Sequence, residues 1–302
     1  MDGAGTLRTM STRATTRLLG GVLASLLVFG CTESKKAVPA GITWTSAYDA
    51  ALADAQAHHR PILLDMYTDW CEWCHALDDT TYVDPAFIQF SKGFTMSRIN
   101  AEVDTVTAAR YHVQNYPTVL VLNEKGEEMD RVVGYSRAPE FIAQVKDYLA
   151  GKNTLASVLA QEPAHQNDPE FVYKLADRLA DHGLSDESRQ RFLKFVTMDP
   201  KNVSGHTDDA YYRLARMARK HKDFASDRKY AQTILDKYPD SDMMRPAFLE
   251  VGQSYSKNGQ LEQARGIFLE YAKRFPDDDD APWARAQADT LGARLASSRR
   301  GA

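Results

Sequence analysis

The chain has 302 residues, 26% of them charged, with 37 Lys and Arg against 41 Asp and Glu for a net charge of −4. That balance gives no basic field for nucleic acid, and no Lys/Arg cluster with interleaved aromatics occurs in it. No glycine-rich phosphate loop or zincin motif is present, and the eight histidines are scattered, His58 and His59 reading as solvated surface rather than ligands.

Arg8, Arg13 and Arg17 precede the apolar run Leu18–Phe29. Its 12 residues are too few for a spanning helix, which needs about 20, but suit a signal-peptide core. The run ends in Val28-Phe29-Gly30-Cys31, which is similar to the bacterial lipobox, whose cysteine is lipidated and becomes the mature N-terminus. Residues 1–30 are therefore expected to be a signal peptide and 31–41 a polar tether, with lipid on Cys31 holding the protein to a membrane. This puts it on the periplasmic face of a bacterial cell envelope. Thr32 lacks the aspartate associated with inner-membrane retention, which favours the outer membrane. The other reading is an uncleaved anchor with Cys31 a spare thiol. Removal of the leader leaves about 270 residues, enough for two modest domains.

The next feature is Trp70-Cys71-Glu72-Trp73-Cys74, straight after the apolar run Ile62–Tyr67. Two cysteines separated by two residues, where a strand gives way to a helix, form a site for dithiol–disulfide exchange. The first thiol lies at a helix N-terminus, where free N–H groups and the helix dipole favour a thiolate. The second is close enough to resolve the mixed disulfide. Cys71 to His75 also reads as C-x-x-C-H, the c-type haem attachment string, and a C-x-x-C pair can be half of a zinc site. A structural zinc needs four ligands, and no second Cys or Cys/His pair follows.

Other residues bear on the choice. Asp65 sits within the apolar run six residues before Cys71, and 46 residues beyond Cys71 stands Pro117, in Tyr116-Pro117-Thr118, before the strand Val119–Leu122. Asn123–Glu127 reads as a hairpin turn, a further strand follows at about 128–133, and an amphipathic helix at about Pro139–Leu149. The order of these motifs resembles thioredoxin over residues 42–151. The resemblance implies an α/β thioredoxin-like domain, a buried acid at Asp65 beneath the second cysteine, a cis peptide bond at Pro117, and Trp73 exposed toward a partner. It leaves no cavity for haem, so no cofactor is expected. Catalysis is assigned to Cys71, Cys74 and Asp65, and contact with protein thiol or disulfide clients to Trp70, Trp73, Tyr116 and Pro117. The sequence departs from thioredoxin between the cysteines, with Glu72-Trp73 in place of Gly-Pro. A carboxylate beside Cys71 disfavours its thiolate, which argues for reduction or exchange over oxidation.

The second half has no cysteine and is all-helical in pattern. Pro200, Pro239 and Pro276 each close a helical pair, 39 and 37 residues apart. The last unit carries Phe248, Val251, Gly252, Tyr255, Ala264 and Phe268; the one before keeps Tyr211, Leu214 and Ala215 but has Asp227 where a small residue is expected; the first offers Val172, Leu175, Ala176 and Phe192. These units resemble the tetratricopeptide repeat, which implies a helical repeat domain over 155–300 with a capping helix at Ala281–Ala296 and a surface for a protein partner. The leading function is thus a membrane-tethered thiol–disulfide oxidoreductase. The alternative is an envelope scaffold in which the repeats carry the function and the thioredoxin-like domain is structural.

Overall fold

The computed structural model describes residues 41–300. The expected leader, nearly all of the tether and Cys31 lie outside the described residues. Among the described residues no helix is long and apolar enough to cross a membrane.

The first half is a three-layer α/β/α arrangement. Helix α1 (Tyr48–His58) leads into strand β1 (Ile62–Tyr67). A short helix α2 (Glu72–Ala76) runs on without a break into a wider, π-helical turn (Leu77–Thr81). Helix α3 (Pro85–Ser91), strand β2 (Thr95–Asn100), helix α4 (Thr105–Arg110), strands β3 (Thr118–Leu122) and β4 (Glu128–Val133), and helix α5 (Ala138–Leu149) complete it. The sheet order is β2-β1-β3-β4, with β1 and β2 parallel and the other two pairings antiparallel.

Strands β1 and β3 are apolar almost throughout because both of their faces are covered. Leu63, Met96, Val119, Val121 and Val132 face Phe87 of α3 and Phe141 and Val145 of α5. Residues of the opposite parity, including Ile62, Leu64, Met66, Leu120 and Leu122, pack on Tyr48 and Ala55 of α1 and Ala108 of α4. Asn123 closes the β3–β4 turn as expected, its side-chain oxygen accepting from the N–H groups of Lys125 and Glu127.

The second half consists of helices α6 (Leu155–His165), α7 (Pro169–Asp181), α8 (Ser185–Met198), α9 (Thr207–Lys220), α10 (Phe224–Lys237), α11 (Met244–Lys257), α12 (Leu261–Arg274) and α13 (Ala281–Arg300). Helix α6 has no counterpart in the sequence reading, and α13 runs beyond the expected end of the cap. Three helical pairs, α7–α8, α9–α10 and α11–α12, match the proline spacing. Gly252 has the small-residue role expected of it: a Cβ there would stand 2.7 Å from the ring of Phe268.

The two halves meet through buried charge on β4. Asp130 pairs with Arg178 at 2.8 Å and His182 at 3.3 Å, and accepts from the Leu155 N–H that opens α6 at 2.5 Å. Burial alone would raise the Asp130 pKa, but hydrogen bonds from His182 and the Arg131 N–H, with the Arg178 charge, hold it below the usual carboxylate range. Arg131, in turn, donates to the carbonyls of Tyr111 and Asp181. Removing one partner from such a cluster leaves the others desolvated without compensation. Asp130→Ala is therefore expected to lower stability by about 2–3 kcal/mol, discounted from the fully buried case because Arg178 retains some solvent contact. Denaturant unfolding followed by two probes is the check: the halves should then lose structure at separate midpoints.

Candidate functional site

The site lies at the C-terminal end of β1, where the chain leaves the sheet and enters α2. Cys71 is the residue that caps α2: its backbone is extended, and its Sγ accepts the N–H of Cys74 at 3.1 Å. Cys71 and Cys74 are joined as a disulfide, with Cα atoms 5.2 Å apart. Both are buried in this oxidised form, Cys71 at 3% exposure and Cys74 at 1%.

The rim is aromatic. Trp70 and Trp73 are 66% and 62% exposed, which leaves their faces open to a partner. Trp70 stands edge-on to Tyr116 at 6.0 Å and donates its indole N–H to Glu102. Trp73 lies 5.7 Å from the ring of Tyr135, a residue the sequence reading did not include. Tyr116–Pro117 is a cis peptide bond. Thr118, the next residue, pairs with Met66 of β1, so the cis-proline turn and the cysteine pair issue from the same end of two adjacent strands.

A buried charged group joins β1, β2 and the turn after α2, and only the fold assembles it. Asp65 is buried and pairs with Arg98 of β2, Nε to Oδ2 at 3.2 Å; the two are register partners in the parallel β1–β2 ladder. Arg98 also grips Asp78 through two nitrogens, at 2.7 and 2.9 Å, and its guanidinium lies over the ring of Tyr67. Asp78 follows Cys74 by four residues, so both project from one face of the helical segment. The group is therefore on the Cys74 side of the pair. Burial pushes the Asp65 carboxyl up to about 6; the Arg98 charge opposes this without overcoming it, and the Asp78 carboxylate adds to it. Asp65 Oδ1 has no hydrogen-bond partner among the described residues. Arg98 keeps its proton more firmly than usual: burial works against the charge, but the two carboxylates prevail.

Sequence reasoning therefore found Asp65 but missed Arg98, Asp78 as its second partner, and Tyr135. The available signal was one Arg in an otherwise weakly polar strand, matching one Asp in a neighbouring apolar strand. His75, the last residue of the C-x-x-C-H string, hydrogen-bonds through Nε2 with the Asp69 carbonyl at 3.1 Å, with Nδ1 3.9 Å from Asp78.

Residues 43–124 match the family model of thioredoxin-like proteins, and residues 209–241 and 246–278 match that of the tetratricopeptide repeat. The chain thus carries a thioredoxin-like domain followed by tetratricopeptide repeats. It is similar to two curated proteins named thiol:disulfide interchange protein DsbD. With that of Klebsiella pneumoniae it shares 33% identity over 108 residues, which is 34% of this chain and 18% of the relative. With that of Salmonella typhimurium it shares 34% identity over 100 residues, 31% of this chain and 18% of the relative. The match thus spans about a fifth of the length of these curated relatives. Among solved structures, the oxidised c-terminal domain of Neisseria meningitidis DsbD is 21% identical, with 35% of this chain and 99% of that one covered and a TM-score of 0.32. A thioredoxin from Thermus thermophilus is 24% identical, with 37% and 91% covered and a TM-score of 0.34.

Proposed function

We propose that this protein is a thiol–disulfide oxidoreductase that reduces or exchanges disulfides of protein clients in the bacterial cell envelope. The observation that carries the reading is the Cys71–Cys74 disulfide capping a helix, leaving the same end of two adjacent strands as the cis-proline turn, with Asp65 buried in the strand that leads to it. In the reduced form, the Cys74 N–H and the helix dipole stabilise a thiolate on Cys71. That thiolate attacks one sulfur of a client disulfide, forms a mixed disulfide, and the second client sulfur leaves as a thiolate. Cys74 then gives up its proton and attacks Cys71 Sγ, which re-forms the intramolecular disulfide and releases the first client sulfur. Two electrons pass to the client. Asp65, with its proton affinity raised toward neutrality, accepts the Cys74 proton in that second step. Trp70, Trp73, Tyr116 and Pro117 supply the surface on which the client lies.

The name of the curated relatives, thiol:disulfide interchange protein, agrees with thiol–disulfide exchange. Lipid on Cys31 would hold the protein at the periplasmic face of a membrane, the outer membrane being favoured, and a Cys31→Ser variant would then be released from membranes. The repeats hold a protein partner. The direct test is insulin reduction by the full chain with dithiothreitol as electron source, together with a redox equilibrium against glutathione. Turnover above the uncatalysed rate is expected; its absence would favour the scaffold role for the repeats.

A further inference from the structure

Beyond the redox pair, a cleft of about 750 Å³ lies between the α9 side of the repeats and the loop that precedes Pro117. Its charge is one-sided. Arg213, Arg216, Arg219, Lys220, Lys222 and Lys257 line it, and no Asp or Glu does. Arg213 and Arg219 are neutralised from behind by Asp177 and Glu250. Arg216, Lys220, Lys222 and Lys257 have no ion pair among the described residues, although the chain as a whole is acidic. Burial lowers the Lys220 proton affinity, and an anion placed among cations that lack a close carboxylate partner is favoured by their charge.

Lys222 adds an independent observation. The turns of the three helical pairs each need a residue in the left-handed region, and two use glycine: Gly183 at φ 73° and Gly259 at φ 78°. The middle turn holds Lys222 there at φ 61°, where a side chain is disfavoured by about 1–2 kcal/mol. A lysine lining the cleft thus stands where the other two turns have glycine.

The cations are spread rather than convergent. Arg213 to Lys220 covers about 10 Å of α9, and Lys257 extends the row onto α11. A compact anion such as phosphate would engage one end of this row; an extended chain with several carboxylates engages its length. The opposite wall includes Gln114, a side-chain amide that can donate to a passing peptide, and Asn115, whose amide donates to Asp181 at 3.5 Å. Asn115 is adjacent to Tyr116 and two residues from Pro117, so a chain leaving the cleft on that side arrives at the redox rim.

We infer that this cleft is a docking site for an acidic segment of the client polypeptide, which tethers the client while its disulfide lies at Cys71. The inference rests on the oxidoreductase reading for what the bound chain does next, but the binding itself is measurable without turnover.

The probes are a fluorescein-labelled Glu-rich peptide containing one disulfide, its twin with Gln for every Glu, and inorganic phosphate as competitor. Anisotropy with the full chain is expected to give about tenfold tighter binding of the Glu peptide, weakening steeply with salt. Charge reversal at Lys220, Lys222 and Lys257 to Glu should bring the Glu/Gln ratio, in both affinity and kcat/KM, close to one. Lys222→Gly provides the control for folding: it should raise the unfolding midpoint while weakening the Glu peptide. Equal affinity for the two peptides, or a ratio indifferent to charge reversal, overturns the inference. Displacement of the Glu peptide by phosphate at constant ionic strength also overturns it, since the site would then belong to a small anion. Tight binding of the Glu peptide with neither peptide reduced upholds the cleft and rejects the redox reading.

Discussion

Cys71→Ser should reduce the rate of insulin reduction by at least about a hundredfold, because it removes the only thiol that the N-terminus of α2 stabilises as a thiolate. Cys74→Ser should fail differently. The first attack does not need Cys74, so this variant should collect a mixed disulfide on Cys71 that dithiothreitol releases. Non-reducing electrophoresis of each variant with a disulfide-bearing client distinguishes the two. If Cys71→Ser accumulates the adduct and Cys74→Ser does not, the roles assigned to the two sulfurs are reversed. If neither substitution alters turnover, the dithiol mechanism is wrong. The asymmetry follows from position: Cys71 caps the helix, whereas Cys74 lies one turn in, on the face shared with Asp78.

The second large effect is expected at Asp65, and it has a kinetic and a thermodynamic part. Asp65→Asn should slow resolution of the mixed disulfide by about a hundredfold, the usual scale for loss of a proton acceptor, while leaving the first attack nearly intact. Its effect on stability should have the opposite sign. The folded protein holds the Asp65 proton more tightly than the unfolded chain, with a pKa raised from 3.8 to about 6 by burial. The protonated carboxyl therefore favours folding fully below pH 3.8, and that contribution is lost as pH rises through 6. At pH 8 the parent keeps a desolvated carboxylate that Arg98 only partly offsets. The isosteric amide should be more stable there by about 2 kcal/mol, with no titration between pH 4 and 6. Urea unfolding of the oxidised protein over that range is the measurement. A variant less stable than the parent at pH 8 would show that the Arg98 pair outweighs desolvation. Slower catalysis with higher stability is the pattern of a group retained for its chemistry.

Much of this was legible in the residues themselves. The order of the apolar run, paired cysteines, proline and hairpin turn was sufficient for the first domain, because each motif is local and each has a distinct backbone requirement. The proline spacing of the repeats was legible for the same reason. Arg98 was not, since its partners are decided by strand pairing: the β1–β2 register places it opposite Asp65, and the turn after α2 brings Asp78 to it. Asp227 shows the converse. The sequence marked it as a defect in a repeat that expects a small residue, yet it is wholly buried, and its proton affinity, raised first by burial, is offset by the charges of Arg219 and Arg228. A pattern of small and large residues carries no record of such compensation. Helix α6 was missed because its face contains no fully buried residue from which a period could be read.

The close fit between Gly183 and His112, where a Cβ on the glycine would stand 2.7 Å from the histidine Cβ, bears on how this architecture can change through descent. Two units that resemble separate families suggest parts that can be exchanged freely. Here the turn between α7 and α8 lies against the loop that leads to Pro117, and β4 anchors its carboxylate at the start of α6. A redox unit exchanged into this chain would have to supply both a loop that fits Gly183 and an acid in the place of Asp130. The first helical pair is thus bound to its neighbour and inherits its constraints, and it is the later two pairs that match the repeat model.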